Sequence, residues 1–293
     1  MTSASDQIPV TQSETLRTGE LYNHKPYRGA QRASSVNKYW QEYRSMFPEK
    51  SDMVRYLDAL TMPASGGWTF GRIPKNGTTT VLSALHYLEF GTPLTAQVEA
   101  RNNTNEDNAP HMLDQAGVFM SPIQTDHSPK TIKESLRLTV LRNPAERALS
   151  SFKYLCRSQE LKTTHFAPLR LRIAAISGLD WQEHLYAPAG FNRFLDYIEI
   201  NLTNTSFPLD RHIAPQTYSL PRDIFKPYMI GRTEDMKRFL IGLADEFEDR
   251  LPQHILNTHN NANVAELPFR LTRATLTRLE DLFAQDYEWY ESE

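Results

Sequence analysis

The stretch Trp68-Thr-Phe-Gly-Arg-Ile-Pro-Lys75-Asn-Gly77-Thr78-Thr79-Thr80 constrains this chain more than any other. Trp68 to Ile73 is aromatic and β-branched with polar alternation, which predicts a strand. Pro74 offers no ladder hydrogen bond and Gly77 is free to turn, so the strand stops there. Beyond it Val81, Leu82, Leu85 and Leu88 share one helical face until Gly91-Thr-Pro93 ends the run. A tight strand-to-helix loop leaves the first N–H groups of the helix without intrahelical partners, at the positive end of the macrodipole. Such a place attracts anions. Lys75 adds a mobile charge and Thr78, Thr79 and Thr80 add hydroxyls. The segment Pro74, Lys75, Asn76, Gly77, Thr78, Thr79, Thr80 is therefore expected to hold a phosphate.

A second strand-loop-helix follows. Arg137 to Leu141 reads as a buried strand, and Arg142-Asn143-Pro144-Ala-Glu146-Arg147-Ala-Leu-Ser150 continues it. Asn143 suits the N-cap, Pro144 the first helical position, and Glu146 the third position of a capping box. At 100° per residue Ala145, Ala148, Leu149, Phe152, Leu155 and Cys156 fall on one apolar arc. Asn143, Arg147, Ser150 and Tyr154 fall on the other side. Arg142 and Ser150 are thereby expected to face something other than the core.

The order Pro-Lys-x-Gly-Thr-Thr departs from G-x-x-x-x-G-K-[ST], where the lysine follows the second glycine. It resembles instead the 5′-phosphosulfate loop of sulfotransferases that use 3′-phosphoadenosine-5′-phosphosulfate (PAPS). The run from Arg142 to Ser150 is similar to the arrangement with which those enzymes hold the 3′-phosphate. Farther on, Asp210-Arg211-His212-Ile-Ala-Pro215-Gln216 is similar to their N-x-H-W-x-P-Q segment, with Asp210 and Ile213 replacing the usual Asn and Trp. Ile230-Gly-Arg-Thr-Glu234 resembles I-G-x-x-E, and the end at Asp286-Tyr-Glu-Trp-Tyr290 resembles the family's closing helix. From about Trp68 to Tyr290 the chain thus resembles the PAPS-dependent carbohydrate sulfotransferases, which include heparan sulfate 2-O- and chondroitin 4-O-sulfotransferases and many bacterial relatives.

The resemblance implies an α/β fold, a P-loop-like parallel sheet flanked by helices, with the nucleotide across the carboxyl ends of the strands. It implies in-line transfer of a sulfuryl group from PAPS to a hydroxyl acceptor carried on a glycan or glycolipid, with PAP as product. Lys75 would neutralise the leaving phosphate, and Arg142 and Ser150 would grip the 3′-phosphate. Relatives place a His or Glu between the two motifs as the base. His127, in the loop Gln124 to Pro129, is the residue assigned to that work, with Glu99, Glu106 and His111 in the same interval and His212 downstream as alternatives.

The rest of the chain sets limits. Its 293 residues, 40% hydrophobic, suffice for a sizeable core. A net charge of −3 gives no global push towards nucleic acid or anionic membrane. The single cysteine, Cys156, excludes an intramolecular disulfide and a multi-cysteine metal site, no metal-ligand cluster is visible, and Cys156 is expected in the core. Residues 1–35 are polar without an apolar run and read as a loosely ordered arm before a domain spanning 36–293. With no signal peptide in view and no apolar run of about 18 residues, a cytoplasmic enzyme is expected. Val36 to Leu60 reads as helical, with Tyr39, Trp40, Tyr43, Met46 and Phe47 as its stripe. Val118 to Ile123 reads as a short strand, and Thr233 and Thr272 as helix caps. Two other functions compete. A P-loop kinase would need a lysine after the glycine and an acidic metal ligand at a strand end. A non-catalytic nucleotide- or glycan-binding protein on the same fold gains if His127 lies far from the loop.

Overall fold

The computed structural model describes residue 21 and residues 24–96, 109–204, 208–257 and 268–293. Strands β1 (Leu60–Thr61), β2 (Trp68–Gly71), β3 (Leu136–Leu141) and β4 (Met229–Arg232) form one sheet in the order β1-β2-β3-β4. The pairs β2–β3 and β3–β4 are parallel, and β1 runs antiparallel on the edge. Parallel neighbours need long crossovers, and helices supply them here. The α/β expectation holds, with one antiparallel strand added to its parallel sheet.

Helix α1 (Gly29–Tyr43) begins inside the stretch read as the polar arm, and α2 (Lys50–Ala59) follows it. Tyr39, Tyr43 and Phe47 of the predicted stripe are buried, but Met46 lies beyond the end of α1 and is 49% exposed. Helix α3 (Thr78–Phe90) follows β2, with Gly91 as its left-handed C-cap, and α4 (Pro129–Glu134) precedes β3. Helices α5 (Pro144–Glu160), α6 (Ala167–Ser177) and α7 (Pro188–Thr203) fill the span before β4. Helices α8 (Met236–Glu246), α9 (Arg273–Leu282) and α10 (Ala284–Glu291) close the chain.

The alternation along β2 sets the layers. Trp68 and Phe70 face α3 and α8 in one core cluster. Gly71 points the other way, where a Cβ would fall 2.5 Å from Leu220 in a second cluster built from α1, α2 and Trp289. A third cluster joins α5, α6, α7 and α9, and it includes Phe191, Phe194, Leu195 and Ile198, the stripe visible in the sequence. Residues 118–123 form no strand: Met120 makes one isolated bridge with Met62, and Pro122–Gln124 is a helical turn. The rigid ring of Pro122, fixed at the start of that turn, accounts for the difference. No helix among the described residues is long and apolar enough to cross a membrane.

Candidate active site

The three parallel strands end together, and the loops that leave those ends build the site. After β2 the chain turns through Lys75 (φ 73°) and Gly77 (φ 74°), two left-handed residues within three positions. Gly77 is the N-cap of α3 and Val81 N–H makes the first intrahelical bond, to Gly77 O, at 3.1 Å. The N–H groups of the first turn consequently point out of the helix end, as an anion cradle requires. Not every polar side chain of the loop faces that cradle. The Thr78 hydroxyl donates to Ile73 O (3.1 Å), bracing the turn, and Thr79 and Thr80 are buried. Asn76 is buried too, and its Nδ2 donates to Val140 O (2.8 Å) and Gln216 Oε1 (2.5 Å). Lys75 is the side chain left to meet a ligand.

The second motif lies against the first. Asn143 caps α5, its Oδ1 accepting from the N–H groups of Ala145 (3.0 Å) and Glu146 (3.2 Å). Glu146 does not complete a capping box: its carboxylate turns to Arg142 Nε at 3.7 Å, because a guanidinium at the strand end attracts it more than an exposed backbone amide does. Arg142 Nη1 donates to Lys75 O at 3.2 Å, joining the motifs directly. Its Nε is buried and, at that distance from Glu146, has no hydrogen-bond partner among the described residues. Arg147, which the helical arc places beside Ser150, is buried and fully engaged. It donates to Pro74 O (3.1 Å), Ala214 O (2.6 Å) and Arg211 O (2.9 Å). Tyr154, on that same face of α5, receives the Lys75 ammonium 3.9 Å from its ring centre. Ser150 lies between these two along the helix and is half-buried.

The model of the sulfotransferase family matches residues 65–291. The chain belongs to the sulfotransferase family. No curated protein and no solved structure matches it. A sulfotransferase moves a sulfuryl group to an acceptor hydroxyl, so the loops just described are where its chemistry must be sought.

The charge state of this sulfotransferase's site follows from its crowding. Burial first, then the guanidiniums of Arg142, Arg147 and Arg157, lower the Lys75 ammonium to about 7. The structure does not bring His127 to Lys75. Its Nε2 lies 3.0 Å from Pro63 O and its ring packs near Gly66, at the amino-terminal end of β2, whereas Lys75 follows the carboxyl end. Four strand residues at about 3.3 Å each separate the two. Position between two motifs in sequence does not fix the end of a sheet at which a loop emerges. Glu99 and Glu106 lie outside the described residues.

Another histidine shares a neighbour with Lys75. His212 packs parallel to Tyr154, ring centres 6.2 Å apart, so Tyr154 touches both His212 and Lys75. Its Nδ1 is 2.8 Å from Asp210 Oδ1, which also accepts the His212 backbone N–H at 2.8 Å. A carboxylate only accepts, so Nδ1 carries the proton and Nε2 keeps its lone pair. Burial lowers the His212 imidazole below its ordinary value, Asp210 opposes this, and Arg211 and Lys75 add to it. His111 is exposed, in the helical turn Ala109–Met112. Asp210 departs from the family's usual Asn, and the departure supplies the partner that fixes the imidazole's tautomer. A cleft of about 810 Å³ opens at Arg211, lined also by Arg55, Arg72, Asp58, Tyr218 and Leu209, among others; Lys75, Arg142 and His212 do not line it.

Proposed function

We propose that this sulfotransferase takes its sulfuryl group from PAPS and transfers it to a hydroxyl of a carbohydrate, releasing PAP. The observation that carries the reading is Arg142: seated on the carbonyl of Lys75, it keeps a buried Nε that among the described residues meets only the Glu146 carboxylate, at 3.7 Å and beyond hydrogen-bond reach. A buried donor of that kind is costly unless something accepts from it. The first turn of α3, Lys75, Arg142 and Ser150 together fit a nucleotide bearing one phosphate near each motif. When bound, PAPS supplies the sulfuryl group and the phosphate from which it departs.

The chain's own groups would divide the remaining work. An anion beside Lys75 restores its proton, and the ammonium then concentrates positive charge at the loop, the kind of fixed electrostatic support that dominates such transfers. His212, neutral and with Nε2 free of its partner Asp210, can accept the proton of the acceptor hydroxyl. This assigns to His212 the role that the sequence reading gave to His127. The cleft lies within the roughly 300–1,000 Å³ typical of small-ligand sites, and Arg55, stacked 4.0 Å over Tyr218, gives it the mixed polar and aromatic wall that sugars use. The likeness of the Asp210–Gln216 segment to carbohydrate sulfotransferases supports the same acceptor class.

The test is transfer of label from radiolabelled PAPS to a panel of glycan, lipid and small-alcohol acceptors, with Lys75→Ala as control. Label is expected on a glycan hydroxyl, with no transfer by Lys75→Ala. Near-normal turnover in that variant refutes the role of Lys75. Tight PAP binding without transfer to any acceptor would return the chain to the non-catalytic reading.

A further inference from the structure

One buried side chain touches both motifs. Gln216 Oε1 accepts from Asn76 Nδ2 (2.5 Å) and from Arg142 N–H (3.2 Å), while its Nε2 donates to Arg142 O (3.0 Å). Its backbone is held in turn from the end of the chain. Asp286 of α10 accepts Gln216 N–H at 2.6 Å, and its other oxygen accepts the Thr217 N–H and hydroxyl, each at 2.9 Å. Asn76, Gln216 and Asp286 are each 1% exposed, so water cannot substitute for these bonds. We propose that Gln216 is a positioning residue that fixes the separation between the Lys75 loop and Arg142, and that Asp286 holds Gln216 in place.

The proposal rests on the reading of the site as a grip for a nucleotide with two phosphates. Such a ligand engages both motifs only if they stand at the right distance, whereas a monophosphate needs one. Removing the Gln216 amide leaves the N–H and C=O of Arg142 without partners and frees Asn76 from one of its two acceptors. The bonds of Arg142 to Lys75 O and of Arg147 to Pro74 O remain, so the loops stay near each other but lose their fixed spacing. A misplacement of about 1 Å costs on the order of a hundredfold where two contacts must be made at once.

Calorimetry of PAP, adenosine 5′-phosphate and adenosine 3′-phosphate with the full chain tests this, using Gln216→Met, which keeps the volume but removes the polar atoms, and Asp286→Asn. Wild type is expected to prefer PAP over either monophosphate. Gln216→Met is expected to lose about tenfold or more in PAP affinity while each monophosphate changes by less than about threefold. Asp286→Asn is expected to shift the same ratio in the same direction by less, since one acceptor oxygen remains; it serves if Gln216→Met fails to fold. Without any ligand, hydrogen exchange at the Arg142 amide is expected to quicken in Gln216→Met. Equal losses for all three nucleotides, or an unchanged PAP preference, overturn the positioning role while leaving the donor reading intact. Absence of PAP binding by wild type overturns the donor reading and this proposal with it.

Discussion

Lys75 is the group whose proton the filling of the site is expected to move. With Lys75 lowered to about 7 by burial and three guanidiniums, the ligand-free site is largely without that proton at pH 8. An anion beside the amine raises its proton affinity again. PAP binding at pH 8 is therefore expected to take up close to one proton, and affinity to weaken as pH rises above about 7. The sign for folding follows the same logic: the unfolded chain binds that proton more tightly, so the ligand-free fold gains stability as pH rises above about 7. Calorimetry in buffers of different ionisation enthalpy reads the uptake. A wild type with none, or a Lys75→Met variant with the same uptake, would contradict the assignment. For His212, removal of the base in His212→Asn is expected to lower kcat by about 10² to 10⁴. His127→Asn, changed at the other end of β2, should leave kcat within a few-fold; steady-state rates decide, and the reverse pattern would reinstate His127. Arg147 shows why such residues escape a sequence reading. A helical arc gives the direction of a side chain, but not that three backbone carbonyls wait there for it.

At the level of elements, the tight turn into α3 is the feature most exposed to a small change. Gly77 has φ 74°, and a Cβ on it would fall 2.5 Å from Met236 Cε of α8. Left-handed backbone costs an ordinary residue about 1–2 kcal/mol, and the thioether must also move. Gly77→Ala is expected to lower stability by about that amount in urea unfolding and to weaken PAP binding. Adding Met236→Ala should relieve the steric part alone. Full recovery in the double variant would mean that the backbone conformation carries no cost. The strand-loop-helix units were legible because each has a physical stop signal: Pro74 and Gly77 in the first, Asn143-Pro144 in the second. Thr233 does not cap α8. Thr233 begins a short helical turn and its hydroxyl turns to Glu234, while α8 starts only at Met236. A threonine before a helical pattern signals a cap, but a turn can intervene without altering that pattern. Thr272 does cap α9, accepting from Thr275 N–H at 3.2 Å.

For the molecule as a whole, Cys156 reports on the third core cluster. It is wholly buried, and burial pushes its thiol up to about 12. Thiolate is the reactive form, so labelling at pH 8 is expected to follow global unfolding, with a rate that rises with denaturant as the unfolded fraction does. Prompt modification of one equivalent in buffer would show that the cluster around α5, α6 and α7 opens on its own. Asp286 of α10 reaches Gln216, and Arg147 of α5 reaches Pro74, so the last helices and the first loop of the matched region are mechanically joined.

Local chemistry written along the chain determined the two strand-loop-helix motifs, the elements that carry them, and the family to which they belong. Those features depend on residues within about ten positions of one another, where periodicity, capping and turn chemistry are readable. Tertiary structure alone decided which histidine stands beside Lys75, that Asn76 and Arg147 brace the loop from within, and that Gln216 sets its distance from Arg142. Each of these depends on which ends of parallel strands meet and on carbonyls contributed from 60 to 140 positions away. Long crossovers bring such groups together, and nothing in the intervening sequence marks the meeting point.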